Sequence, residues 1–414
     1  MATIWRVVFF ALAMLMGSAQ AAPLALQRGV GVHEWLNWSP LAADGSYRWP
    51  PYQTVDQWRT RYRELTDWPA GDEFARIKSL GFDFIRLTVD PGPLLATEGA
   101  KRQEALAVLA EDVRQVLASD LKVVFNLHPI TQVAAYSGDS TVEGRSDSEG
   151  VARYVAMTAD VAKMLASLGA DKVAFEPFNE PQHYPCEGRG DGQWQKIMEQ
   201  AMAAIRAVST ELTVIATGAC GGDVIGLADL DPNFDDPNLY YSFHMYDPHT
   251  FTHQQSDEEG GFASGLPWPA SEGSPGAVIE MLRAHMTAAG VTEAEQEQTI
   301  LKLGPYIARY FADGEGESQL QEGFDYVLNW AGAHGIPTSR LFLGEFGVIA
   351  MSDDGRMGAF AADRLRYLEA VRRKAEEHGI PWSVWEYSNR WGMSIILPTG
   401  PAIPDTAMLK ALGL

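Results

Sequence analysis

The stretch Lys172-Val173-Ala174-Phe175-Glu176-Pro177-Phe178-Asn179-Glu180-Pro181 passes from an apolar run directly into an Asn-Glu pair. The apolar part suits a strand buried on both faces, as parallel strands under helices are. Its end carries groups that bind and react. Working outward, seven other segments have the same form: Gly29–Trp35, Phe82–Val89, Lys122–Leu127, Thr213–Thr217, Leu239–Phe243, Leu341–Phe346 and Trp382–Tyr387. With Lys172–Phe178 they make eight.

Helical patterns separate most of them. Glu73–Leu80 places Phe74, Ile77 and Leu80 on one face, and Gln103–Ala118, Gly150–Leu168, Gln193–Ser209 and Gly358–His378 show similar periodicity. Gly81 and Gly379 stand where helix stops are expected. Eight strands alternating with helices predict a (β/α)8 TIM barrel. A doubly wound open sheet would usually show a Gly-rich phosphate turn after an early strand, and the sequence has none.

Two segments exceed an ordinary connection. Residues 36–72, after the first strand, hold Trp38, Tyr47, Trp49, Tyr52, Trp58, Tyr62 and Trp68. Residues 247–340, after the sixth, combine an acidic Gly-rich part, Asp257 to Gly261, with helical stretches at Glu293–Phe311 and Gln319–Ala333. Both read as long loops over the barrel mouth. With no repeat or linker in sight, residues 23–414 are expected to form one catalytic domain.

The first 22 residues read as an address. Arg6 precedes the apolar run Val7–Met16, and small residues follow at Gly17-Ser18-Ala19-Gln20-Ala21-Ala22. This is the form of a signal peptide cut near residues 21–22, and ten apolar residues are too few to cross a bilayer. A secreted protein, periplasmic or extracellular, is expected. The remaining 31 Lys+Arg against 54 Asp+Glu leave a net charge of −23. That disfavours nucleic acid and anionic membranes and suits a neutral substrate. The two cysteines, Cys186 and Cys220, follow strands four and five, which are neighbours in a barrel. In an exported chain they predict a disulfide pinning the loop beside Glu180.

Catalytic groups of such barrels stand at the C-terminal ends of the strands. There the sequence places Arg86 on the second strand, His128 after the third, Asn179-Glu180 after the fourth, His244 and Tyr246 after the sixth, Glu345 at the seventh and Trp385 at the eighth. So many polar groups at one end of apolar strands need partners, because an unpaired buried charge costs several kcal/mol. A shared site supplies them. Two carboxylates, Glu180 and Glu345, fit retaining glycoside hydrolysis, in which one attacks the anomeric carbon and the other protonates the leaving oxygen.

In these residues the chain resembles glycoside hydrolase family 5, the cellulase-like family of retaining TIM-barrel enzymes, from about Arg28 to the end of the eighth strand. The resemblance implies Glu180 as acid/base and Glu345 as nucleophile, the latter held by Arg86 and Tyr246. It implies Asn179 on the sugar 2-OH, His128 and His244 on hydroxyls or carboxylates, and Trp385 stacked under the sugar. The expected activity is an endo-β-1,4-glucanase, with another retaining β-glycanase, an exo-glycosidase or a non-catalytic carbohydrate-binding barrel as alternatives. The expected partner is a polysaccharide or oligosaccharide met by a monomer, with no organic cofactor and no metal. Glu176 and Glu386 are expected to be structural, and His33 and Glu34 are candidates to touch substrate. Trp35, Trp38, Trp49, Trp268 and Trp391 are candidate sugar platforms, since Trp presents a large flat face. The first strand departs from the family by lacking an Asn-bearing Gly-rich segment, which leaves the glycan open.

Overall fold

The structure, a computed structural model, describes residues 22–59, 73–183, 186, 192–254, 264–388, 392–396 and 403–414. The leader run, Tyr62, Trp68, Asp257 to Gly261 and Trp391 lie outside the described residues. Eight parallel strands close into a barrel in sequence order: β1 (Arg28–Leu36), β2 (Phe84–Val89), β3 (Lys122–Leu127), β4 (Val173–Glu176), β5 (Thr213–Thr217), β6 (Leu239–His244), β7 (Leu341–Glu345) and β8 (Trp382–Val384). All eight expected strands are present. The differences are at their ends, where β4 and β8 stop before the polar residues that extend the apolar runs.

The barrel interior is layered, as the two-residue period of a strand requires. Phe84, Val124, Ala174, Ile215, Tyr240 and Phe342 form one buried apolar layer, sealed from below by Leu24 and Leu26. The Leu24 N–H donates to Thr213 Oγ1 at 2.8 Å, and Tyr240 Oη donates to the Leu24 carbonyl at 2.8 Å. Two residues further along the strands come Arg86, Asn126, Glu176, Thr217 and Ser242, all buried. One period therefore turns a greasy floor into a polar ceiling.

Around the barrel stand helices Glu73–Ser79, Gly99–Leu117, Glu149–Ala166, Gln193–Arg206 and Ala361–Glu377. Helix Glu149–Ala166 begins at a side-chain cap, Ser148, which accepts from the Val151 N–H at 3.2 Å. Gly81 and Gly379 have positive φ, as helix stops do.

The first long loop meets the mouth at two of its described residues, residues 60–72 lying outside the described residues. Asn37 Nδ2 donates to the His128 carbonyl at 3.3 Å, and Tyr52 Oη donates to the Asp90 carbonyl at 2.7 Å. The second long segment corrects the expectation. Its last helix, Glu317–Ala333, sets Phe324 edge-on to Phe243 and Trp330 edge-on to Tyr241, so it is the barrel's own outer helix on β6. Only the part before it, with helices Pro275–Ala288 and Glu293–Ala312, is additional.

The buried carboxyl of Asp112 holds part of the first loop, accepting from the Val55 N–H at 3.2 Å, while its Oδ2 has no partner. Burial raises its pKa to about 8. A carboxyl raised in the fold contributes stability that is complete below its unfolded pKa near 4 and is lost as pH rises through 8. Asp112→Asn keeps an acceptor and removes the titration. Its melting temperature should match the parent near pH 4 and exceed it near pH 9; thermal melts running parallel across that range would contradict this account.

Candidate active site

Arg86 stands in the polar layer on β2, fully buried. Its Nε donates to Glu176 Oε2 at 2.7 Å, Nη1 to Glu345 Oε1 at 2.5 Å, and Nη2 to Asn179 Oδ1 at 2.8 Å. Burial opposes its charge, but Glu176 and Glu345 outweigh burial and push its pKa up. The guanidinium's rigid fork can serve three acceptors at once, which a lysine could not do.

Glu345 reaches this fork through an irregularity. Leu343 pairs with Phe243, but the next pairing joins Glu345 to His244, so β7 carries one extra residue, Gly344. A bulge of this kind re-aims the side chain that follows it. Gly344 is pressed inward, where a Cβ would meet Ser242 Oγ at 2.7 Å and His244 Nε2 at 2.9 Å. Glu345 then enters the barrel, with Oε2 accepting from Tyr246 Oη at 2.9 Å.

Glu180 arrives differently. It lies beyond the end of β4, in the left-handed region at φ +41°, where a residue with a Cβ is uncommon. The turn sends Phe178 outward to stack on Tyr154 and brings Asn179 and Glu180 to the mouth. His244 Nδ1 meets Glu180 Oε1 at 2.7 Å. Burial lowers the His244 pKa, but Glu345 and Glu180 outweigh it and the net shift is upward, so Nδ1–H donates. A carboxylate oxygen each of Glu180 and Glu345 and a His244 nitrogen all lie within 4.8 Å of one another. Carboxylates this close suit retaining hydrolysis, whose carboxyl groups stand about 5–5.5 Å apart, rather than the wider spacing of inverting enzymes.

Trp385 follows β8 and lies at the same mouth. His128 stacks against it, with ring centroids 5.9 Å apart and planes 14° apart. Asn179 Nδ2 donates toward His128 Nε2 at 3.4 Å. Burial, reinforced by His33, Arg86 and His244, holds the His128 pKa well below its usual value, so the ring is neutral. The fold thus gathers Arg86, His128, Asn179, Glu180, His244, Tyr246, Glu345 and Trp385 in one place.

The family model described as Cellulase (glycosyl hydrolase family 5) matches residues 42–390. The chain belongs to glycosyl hydrolase family 5. It is thereby a glycoside hydrolase of a retaining family. Among curated relatives, Endoglucanase 3 of Fibrobacter succinogenes is 25% identical over 63% of this chain, which spans 36% of that protein's length. Endoglucanase C of Acetivibrio thermocellus is 23% identical over 75% of this chain and 81% of its own. A hyperthermophilic endo-beta-1,4-glucanase shares the fold with a TM-score of 0.61 at 20% identity, covering 94% of this chain and 97% of that one. The cellulose synthase subunit Z of Clostridioides difficile does so at 0.59 and 20% identity, covering 94% and 99%.

Other candidates of the family reading divide. His33 is brought in, with Nδ1 at 3.0 Å from Thr88 Oγ1 and its ring 4.9 Å from both His128 and Trp385. Burial drops its pKa to about 4, which leaves it neutral. Glu176 is structural in the sense expected, as a partner of Arg86, and Glu386 accepts from the His33 N–H at 3.1 Å. Trp35 and Trp268 are not platforms. Both are buried, Trp35 stacked on Trp58 and Trp268 edge-on to Tyr367. Trp38, 48% exposed, keeps an open face, and Trp49 is partly covered by Lys101, whose Nζ lies 4.6 Å from the ring centroid. Cys186 and Cys220 form the expected disulfide. Sequence reading missed the Gly222 backbone beneath Glu180, where a Cβ would lie 3.4 Å from Glu180 Cγ; the doublet Gly221-Gly222 was the available signal.

Arg86→Met would leave Glu176 and Glu345 buried without a cation, at a cost of about 3–5 kcal/mol. The loss should shrink toward pH 4, where the orphaned carboxylates take up protons. Denaturant melts of parent and variant at pH 4 and 7 check this, and a gap independent of pH would count against Arg86 as the charge centre.

Proposed function

We propose that the chain is a secreted endo-β-1,4-glucanase in which Glu345 is the nucleophile and Glu180 the acid/base. The observation carrying this is the unequal pairing of two close carboxylates. Glu345 is bound at both oxygens, by Arg86 and by Tyr246, which fix its direction. Among the described residues Glu180 has a single side-chain bond, to His244, and its side chain is 35% exposed, so it can exchange protons with water.

In this reading a Glu345 oxygen attacks the anomeric carbon of the sugar lying over Trp385. Glu180 gives its proton to the departing glycosidic oxygen. A glycosyl ester of Glu345 results, and the like charge beside Glu180 is gone. Glu180 then takes a proton from water as the water attacks the same carbon, which releases the sugar with its configuration retained. Asn179, its Oδ1 held by Arg86, is oriented to donate Nδ2–H to the sugar 2-OH. Arg86 thus orders both the attacking carboxylate and the group beside it.

The β-1,4-glucan assignment is supported by the relatives named as endoglucanases and by the acidic surface, which suits a neutral polymer. Secretion is supported by the leader-like first 22 residues and by the disulfide, which needs an oxidising compartment. We read residues 23–414 as one catalytic unit. A second reading, action on mannan or a decorated glucan, is favoured by solved neighbours whose descriptions name mannotriose and a xyloglucan-type heptasaccharide as ligands.

Residues 23–414 should release reducing sugar from soluble cellulose or mixed-linkage glucan, and less from mannan, xylan or β-1,3-glucan. Glu345→Ala should abolish release, and proton NMR of early product should show the β-anomer. Preference for mannan would transfer the assignment to the second reading. Initial α-anomer, or a Glu345→Ala protein as active as its parent, would sink the mechanism.

A further inference from the structure

Glu180 is the less supported of the two carboxylates: His244 bonds its carboxylate, and the loop after β5 packs against the turn that carries it. There the chain is left-handed at three consecutive residues, Cys220 (φ +57°), Gly221 (+68°) and Gly222 (+74°). Cys220 carries a Cβ and does not adopt this conformation readily. The turn presses Gly222 under Glu180, where a Cβ would stand 3.4 Å from Glu180 Cγ and 3.5 Å from His244 Nδ1. The Gly221 N–H donates to the Pro181 carbonyl at 3.1 Å, and Gln182 Nε2 donates to the Glu180 carbonyl at 3.1 Å. Glu180 is itself left-handed. Two unfavourable turns therefore lean on one another, and the covalent link between their loops is Cys186–Cys220, with Cα atoms 5.5 Å apart.

We infer that the Cys186–Cys220 disulfide is a positioning element for proton transfer: it holds the Cys220–Gly222 turn against Glu180 and so keeps that carboxyl aimed at the leaving oxygen. This rests on the assignment of Glu180 as acid/base. The nucleophile's hydrogen bonds do not come from this loop, because Glu345 is on β7 and is held by Arg86 and Tyr246. Loosening the turn therefore affects the acid and spares the attack. A displacement of about 1 Å at a reacting group can cost on the order of a hundredfold in rate.

The test separates aim from stability by leaving group. A sugar alkoxide needs protonation to depart, whereas 2,4-dinitrophenolate leaves without it, and kcat/KM reports only steps through formation of the glycosyl ester. The substrates are an oligosaccharide of the glycan selected by the panel above and the 2,4-dinitrophenyl glycoside of the same sugar. Cys186→Ser/Cys220→Ser should lose about 10–100-fold in kcat/KM on the oligosaccharide and less than about threefold on the aryl glycoside. Gly222→Ala, with the disulfide intact, should show the same split by straining the left-handed turn on which Glu180 rests, and it carries the test if the double variant does not fold. Glu180→Ala fixes the meaning of the result. If it shows the split and the folded disulfide variant does not, or if Gly222→Ala alone is assayed and loses equally on both substrates, the positioning role is overturned while the acid/base assignment stands. If Glu180→Ala itself shows no split, the acid/base assignment falls with it.

Discussion

One guanidinium inside the barrel organises everything above the apolar floor. Arg86 has no exposure to water and binds Glu176, Glu345 and Asn179. A cation so deeply buried survives only with its charge answered and its donors used. Strands β2, β4 and β7 must therefore stay in register to within a fraction of an ångström around it. Barrel closure and site assembly are one constraint: a slip of any of these strands would strand a charge in a low-dielectric interior, where it costs several kcal/mol.

Glu176 shows why a structural carboxylate is needed here. A guanidinium facing Glu345 alone would still be drawn toward the mouth. Glu176, in the same polar layer, binds Nε and anchors the Arg86 side chain at its base, so that Nη1 and Nη2 are left to meet Glu345 and Asn179. Tyr246 then holds the other Glu345 oxygen. Two donors, one on β2 and one just beyond β6, fix the rotation of the carboxylate as well as its position, and a nucleophile must have both before the sugar arrives.

Much of this was legible in the sequence because the strands are buried on both faces and so read as apolar runs with polar ends. Arg86, His128, Asn179-Glu180, His244, Tyr246, Glu345 and Trp385 mark those ends in order. What the pattern hides is which way a side chain faces. Glu345 has the wrong parity for the interior until the extra residue at Gly344 corrects it, and a Gly between Leu343 and Glu345 does not announce a bulge. Trp35 and Trp268 have the composition of sugar platforms, but their rings are claimed by Trp58 and Tyr367, contacts between segments far apart in the chain. Helix Glu317–Ala333 was hidden in a long insertion because periodicity shows that a helix has an apolar face, not which strand receives it.

The contrast between the carboxylates follows from where each is rooted. Glu345 ends a strand, its side chain is 5% exposed, and its two bonds come from a buried guanidinium and a phenol. Glu180 stands on a left-handed turn beyond a strand, open on one side and bonded to one imidazole. A residue that forms and breaks a covalent bond at one carbon gains from rigidity. A residue that gives a proton and then takes one from water needs an open face toward solvent, and a loop provides it where a strand interior cannot. The cost of that openness is weak positional control. The fold answers it with the His244 bond to the carboxylate and with the turn after β5 packed against the segment that carries Glu180.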